Sequence, residues 1–187
     1  MRFGTKYPNR ITMKQCQIFN IFRLQQDQLK VINIHTRIIH QSLEDIVNLI
    51  RTLATENDLV WPVDKWPRIK FKDGLSVGSR GGHGPIRYTV QRYVPERVIE
   101  FKFLKPRGFR GIHKFEIEAV DEDKTKLKHT IDMATSGMGT VSWTIAIRWL
   151  HDALMEDLLD RIENRFIEHP KVSKWNLWVS VLRRILK

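Results

Sequence analysis

Three residues with acid–base or hydrogen-bonding chemistry, Tyr88, His113 and His129, fall among apolar side chains in segments that alternate with a period of two. An imidazole or phenol taken out of water needs a hydrogen-bond partner or a ligand. These three are therefore the first candidates for polar contacts in an otherwise apolar pocket. An imidazole also suits general acid–base work near neutral pH, but no nucleophile or carboxylate stands at a diagnostic spacing from either histidine. A five-residue turn over DEDKT, residues 121–125, would set His129 opposite Ile117 and His113 opposite Met133. The two rings would then lie about 13 Å apart, at about 3.3 Å per residue, too far to share an ion. With no third ligand at suitable spacing, no metal site is expected.

The segment VGSRGGHG, residues 77–84, places Arg80 and His83 among four glycines. It lacks the Lys-Ser/Thr ending of a phosphate-binding loop, and a strand rather than a helix follows. It reads as a bulged strand or a rim loop, with Arg80 and His83 as cavity-rim candidates. His35 and Arg37 lie opposite Ile32, Ile34 and Ile38 and are expected in solvent. His40 and His169 sit at element ends and His151 lies within a long helix, so none of the three is assigned a role. Arg148, Arg161 and Arg165 alternate with Asp157, Asp160 and Glu163, which reads as a solvated, salt-bridged helix face. The single cysteine, Cys16, excludes an intramolecular disulfide framework and a cysteine-clustered zinc site.

The elements that must position these residues follow from periodicity. Residues 29–40 read as a strand. Ser42 and Asp45 form a capping box, followed by a helix through Leu43, Ile46, Val47, Ile50 and Leu53, and a second short helix through Glu56 and Asp58. From Arg68 to Ala134 the pattern is β. A two-residue loop at Pro95-Glu96 would set Val94 opposite Arg97, Tyr88 opposite Phe103 and Val90 opposite Phe101, so that the apolar faces coincide. From about Gly139 to Glu168, Trp143, Ile147, Leu150, Leu154, Leu158, Ile162 and Phe166 recur at helical spacing. The long helix is the one element large enough to cover the apolar face of the sheet. Strand parity then gives an inward set: Tyr88, Val90, Phe101, Phe103, His113, Phe115, Ile117, His129, Ile131 and Met133. These ten either fill a core or line a cavity.

The formal charge of +11 over 187 residues invites a nucleic-acid reading, but its distribution argues against one. Residues 1–28 carry +4, residues 169–187 carry +5, and residues 29–168 only +2. A nearly neutral domain thus stands between two basic tails, which suit an anionic surface or serve solubility. Residues 172–187 predict an amphipathic helix, with Trp175, Trp178, Val179, Leu182, Ile185 and Leu186 in one arc. That stripe either docks on the domain or meets an anionic membrane. No run of about 18 apolar residues is present, so no transmembrane helix is expected. The expected location is cytoplasmic, with the tail as a route to peripheral membrane contact.

The element order, with GGHGPIRYTVQRYVPERVIEFKF followed by FRGIHKFEIEAVDEDKTKLKHTI, resembles the SRPBCC superfamily. This is the START-like, helix-grip group that includes polyketide cyclase/dehydratase-like proteins and birch-pollen-allergen-type carriers. The resemblance covers roughly residues 29–168. It implies an α+β fold, a curved antiparallel sheet wrapped around a long helix with an apolar cavity between them. It also implies a small hydrophobic or aromatic ligand (lipid, polyketide or quinone-like); no cofactor is expected. An enzyme of the cyclase or dehydratase type is the alternative expectation, and a nucleic-acid-binding protein the third. Residues 1–28 are expected to be a basic leader and 169–187 a basic tail.

Overall fold

A computed structural model describes residues 28–186. The leader expected over 1–28 lies, apart from Gln28, outside them. Seven strands, β1 (Gln28–Ile39), β2 (Lys70–Leu75), β3 (Arg80–His83), β4 (Ile86–Val94), β5 (Val98–Lys105), β6 (Phe109–Asp121) and β7 (Lys124–Ser136), form one antiparallel sheet in the order β1-β7-β6-β5-β4-β3-β2. Helix α1 (Leu43–Ile50) follows β1. Helix α2 is built of three contiguous pieces, Met138–Ser142, a π-helical turn Trp143–Ile147, and Arg148–Glu163. Helix α3 (Leu177–Ile185) closes the described chain. The sheet curves around α2, which is the expected helix-grip arrangement.

Local chemistry sets most boundaries. Ser42 Oγ accepts from Asp45 N at 3.2 Å and starts α1. No helix follows through Glu56 and Asp58. The Asp58 carboxylate instead accepts from the backbone N–H groups of Ala54, Val60 and Trp61 at 2.8, 2.9 and 2.8 Å, which folds the chain into turns. The glycines of VGSRGGHG serve close approach. A Cβ on Gly81 would collide with Lys70 O and the Phe71 ring, and one on Gly82, at φ +152°, with Ile86 O.

Three expectations about register and facing are corrected. The β6–β7 turn has two residues, not five: Asp121 pairs with Lys124, and Asp121 Oδ1 accepts from Asp123 N at 3.0 Å. A bulge between Ala119 and Asp121 shifts the pairing by one residue more, so His113 stands opposite Ile131, and His129 opposite Phe115. The β4–β5 connection has three residues, because Val94 pairs with Val98. A bulge between Val90 and Arg92 then restores the expected pairs Tyr88–Phe103 and Val90–Phe101.

The third correction is that β1 faces the other way. Ile32, Ile34 and Ile38 are 54, 52 and 48% exposed, while Asn33, His35 and Arg37 turn inward against α2. They do so because α2 presents carboxylates to this edge strand. Asp157, Asp160 and Glu163, expected in solvent, are only 3, 5 and 6% exposed. Arg37 donates to Glu156, Asp160 and Glu163 at 2.9, 3.1 and 2.6 Å.

The predicted tail helix docks. Val179 and Leu182 are buried, Trp175 Nε1 donates to Asp157 Oδ2 at 2.9 Å, and Trp178 Nε1 donates to Ile145 O at 2.8 Å. Leu177 and Ile185 remain exposed. No described helix is long and apolar enough to cross a membrane. Removing residues 172–187 should cost about 3 kcal/mol or more, from two buried aliphatic side chains at roughly 1.5–3 kcal/mol each. Urea unfolding of the truncated and full chains measures this. Equal midpoints would mean that the helix contributes nothing to the fold.

Candidate functional site

Between the concave face of the sheet and α2 lies a cavity of about 280 Å³. Of the ten inward residues expected from strand parity, Tyr88, Phe103, His113, Phe115, His129 and Ile131 line it. Val90, Phe101, Ile117 and Met133 are buried but belong to the solid core beside it. Of the two rim candidates, His83 reaches the cavity wall, tilted against the Trp61 ring at 4.9 Å. Arg80 does not. It lies with Arg68, Lys70, Arg87 and Lys105 in a separate basic depression of about 660 Å³ at the β2–β5 end of the sheet.

The rest of the wall comes from residues that strand parity could not supply. Trp61 and Trp66 enter from the turns after α1. Trp143, Ala146 and Ile147 come from the π-helical turn, and Leu150, His151, Leu154 and Met155 from the next turns of α2. Arg183 and Leu186 approach from the tail, with the Arg183 guanidinium 4.7 Å from the Trp66 ring. His151 was legible in principle. It continues the stripe Ile147, Leu154, Leu158 at helical spacing, so the period that predicted α2 also turns this imidazole inward.

The imidazoles form a series across the site. His113 lies stacked near Phe101 and Phe103, at 4.8 and 5.0 Å, with the Tyr88 ring edge-on at 4.6 Å. His113 Nδ1 and His129 Nε2 are 3.3 Å apart, so one donates and the other accepts. This replaces the expected separation of about 13 Å, and the two-residue turn together with the bulge between Ala119 and Asp121 is the reason. The His129 ring is 5.0 Å from His151, and His151 is 5.7 Å from His35. His35 ends the series on carboxylates, Nδ1 to Glu156 Oε1 at 2.9 Å and Nε2 to Asp152 Oδ1 at 3.2 Å.

Protonation divides the series in two. Burial is the largest influence on His113 and His129 and pushes both well below the ordinary imidazole value, with neighbouring histidines adding to the shift. Burial lowers His83 to about 3. Burial lowers His151 too, against the opposing pull of Asp152. At His35 burial also disfavours the charge, but hydrogen bonds to Asp152 and Glu156 outweigh it and the value is raised. Imidazoles held toward the neutral form inside the cavity thus give way to one held toward the charged form at its β1 edge. Among the described residues, several buried polar atoms have no partner: Tyr88 OH, His113 Nε2, His129 Nδ1 and both ring nitrogens of His151.

Comparison with known proteins agrees with this architecture. No protein-family model matches the chain. A curated sequence, the ribonuclease P protein component of Latilactobacillus sakei, is 29% identical over 101 residues, half of this chain and 82% of that one. Among solved structures, norcoclaurine synthase from Thalictrum flavum is similar with a TM-score of 0.59 at 10% identity, covering 90% of this chain and 99% of that one. A protein from Nitrosospira multiformis gives 0.58 at 15% identity, over 74% and 97%. CalU16 from Micromonospora echinospora gives 0.52 at 11%, over 85% and 92%. The chain therefore has the α+β helix-grip fold that these solved structures share.

Proposed function

We propose that this protein binds a small aromatic molecule carrying a hydroxyl or carbonyl group in the cavity between the sheet and α2. One observation carries the reading: an aromatic-walled cavity into which Tyr88 and His113 bring polar atoms without protein partners. Buried polar atoms without partners are costly, and a ligand oxygen placed among them would relieve that cost. A volume of about 280 Å³ suits one or two fused rings. Norcoclaurine synthase has been solved with dopamine and hydroxybenzaldehyde, molecules of this kind, in the same fold. The ten inward residues then divide by role. Phe103, Phe115 and Ile131 desolvate the ring, and Tyr88, His113 and His129 orient its polar group. Val90, Phe101, Ile117 and Met133 hold the wall from behind. A cyclase-type enzyme, the catalytic form of the same reading, would move a proton through the imidazole of His113, which is hydrogen-bonded to His129.

A second reading has its own observation. The five cations of the basic depression, Arg68, Lys70, Arg80, Arg87 and Lys105, would suit a phosphate backbone. The partial likeness to the ribonuclease P protein component points the same way. Salt-dependent RNA binding lost on Lys70→Glu with Arg80→Glu would favour it over the cavity reading.

Binding of 2-naphthol, followed by its own fluorescence, tests the first reading. Ala146→Phe fills the cavity from α2 and should abolish binding at little cost in stability. Phe101→Trp should leave binding in place but destabilise by about 1–3 kcal/mol, as overpacking does. In His113→Phe the preference for 2-naphthol over naphthalene should fall up to about tenfold, the worth of one hydrogen bond. Binding unchanged by Ala146→Phe would remove the cavity from consideration.

The imidazoles also predict acid lability. A histidine held neutral in the fold, but free to protonate near pH 6.5 when unfolded, stabilises the fold above that pH. Its contribution is lost as pH falls toward the folded value, about 3 for His83. His35 has the opposite sign: its raised value adds stability below pH 6.5 that fades as pH rises through the folded value. The lowered groups His83, His113, His129 and His151 outnumber it, so stability should drop between pH 7 and 5. Each well-depressed histidine contributes up to about 2 kcal/mol to that drop. His113 is faced by Tyr88, His129, His83 and His151, and His113→Phe should shrink the drop by about that amount in urea titrations. A drop that His113→Phe leaves unchanged would mean that His113 is not held neutral.

A further inference from the structure

The corner where β1 meets α2 holds ligand-type side chains that the cavity reading does not use. His35 Nε2 is 3.2 Å, and His151 Nδ1 3.7 Å, from Asp152 Oδ1. One donor atom from each of His35, His151 and Asp152 lies within 4.8 Å of the other two. We propose that these three residues bind a divalent transition-metal ion, zinc by the donor set. The assignment is independent of whether the cavity takes a ligand.

Geometry, donor type and surroundings agree. Zinc bonds to imidazole nitrogen and carboxylate oxygen at about 2.0–2.2 Å, which places neighbouring ligand atoms of a tetrahedral site about 3.3 Å apart. The distances of 3.2 and 3.7 Å to Asp152 Oδ1 are near that already. Two imidazoles and one carboxylate suit zinc, cobalt or nickel rather than calcium or magnesium, which prefer all-oxygen shells. The outer partners fit as well. His35 Nδ1 meets Glu156 Oε1 at 2.9 Å, so a carboxylate orients the imidazole while Nε2 faces the site, and Asn33 Nδ2 donates to Asp152 Oδ1 at 2.8 Å.

The alternative use of these groups is a proton-held ion pair of His35 with Asp152 and Glu156. That accounts for His35 but not for His151, whose two buried ring nitrogens have no partner within hydrogen-bond range. It does not account for His129 either. His129 stands directly across from His35 in the β1–β7 ladder, its ring is 5.0 Å from His151, and its Nδ1 is also without a partner. A metal ion would give His151 its missing contact, and three protein ligands would leave a fourth coordination position open.

Titration of the chelator-treated full chain with Co²⁺, read by visible d–d absorption, and with Zn²⁺, read by calorimetry, tests this. One equivalent should bind with a dissociation constant of about 10 μM or tighter. Asp152→Asn keeps the shape and the Asn33 contact but removes the anionic ligand, and it should weaken binding at least tenfold, as should His35→Gln. Cys16→Ser, His40→Gln and His169→Gln should bind as the parent does. Zinc should raise the thermal midpoint of the parent and not that of Asp152→Asn. If a variant fails to fold, zinc-induced shifts of the His35 and His151 imidazole signals in the parent's NMR spectrum replace it, and their absence overturns the site. Equal binding by Asp152→Asn and His35→Gln, or no binding by the parent, also overturns it.

Discussion

The grip of α2 on the sheet edge depends on a match of two repeats. Inward positions of a strand recur about every 6.6 Å, and four residues of a helix advance about 6 Å. Asn33, His35 and Arg37 on β1 can therefore meet Asp152, Glu156 and Asp160 on successive turns of α2, with Glu163 one turn further on. Asp160 and Glu163 are nearly inaccessible, and removing one partner from a buried ion pair typically costs about 3–5 kcal/mol. Lys171 and Ser173 N complete the acceptors at the far end of the seam. This polar seam fixes both the rotation and the axial position of α2. The opposite side of the helix is thereby aimed at the aromatic face of β4, β5 and β6, and the cavity is what remains between them.

Asp157 extends the same constraint to the tail. Its carboxylate accepts from Lys65 Nζ at 2.6 Å, Trp66 Nε1 at 2.8 Å and Trp175 Nε1 at 2.9 Å. One buried charge thus joins the turn region after α1, the long helix and the segment leading into α3. Trp66 and Trp175 pack at 5.4 Å from one another, and Arg183 lies over the Trp66 ring. Arg183 and Leu186 can reach the cavity wall only because this junction holds the tail there. The amphipathic stripe read from residues 172–187 is accordingly divided, with Val179 and Leu182 inside and Ile185 outside.

Where the sequence was legible, two independent patterns agreed. Alternation along β4, β5, β6 and β7 placed Tyr88, Phe103, His113, Phe115, His129 and Ile131 on one face, and the helical stripe of α2 supplied the cover. Alternation alone could not choose a face for β1. Its apolar isoleucines look like core until one knows that four carboxylates on α2 need Asn33, His35 and Arg37. Turn lengths were the other weak point. In the β4–β5 hairpin a miscounted turn was offset by an unforeseen bulge, so the expected pairs survived. In the β6–β7 hairpin the bulge between Ala119 and Asp121 adds to the shorter turn instead of offsetting it, and together they bring two histidines expected apart into hydrogen-bond contact. The tryptophans at 61 and 66 come from irregular backbone, where no period exists to orient them.

The inner face of α2 carries two kinds of polar group, and the contrast separates structural from chemical use. Asp157, Asp160 and Glu163 are buried with their acceptors filled by named donors, as a polar group kept for stability must be. Two turns earlier, His151 is half-buried with both ring nitrogens inaccessible and unpartnered among the described residues, and across from it His113 Nε2, His129 Nδ1 and Tyr88 OH also lack partners. Fully apolar side chains of similar volume would pack these positions without that cost. A ligand or ordered water that met their free nitrogens and oxygen would offset that cost. The seam accounts for why α2 sits where it does, and the unsatisfied atoms beside it mark the part of the interior that packing leaves unexplained.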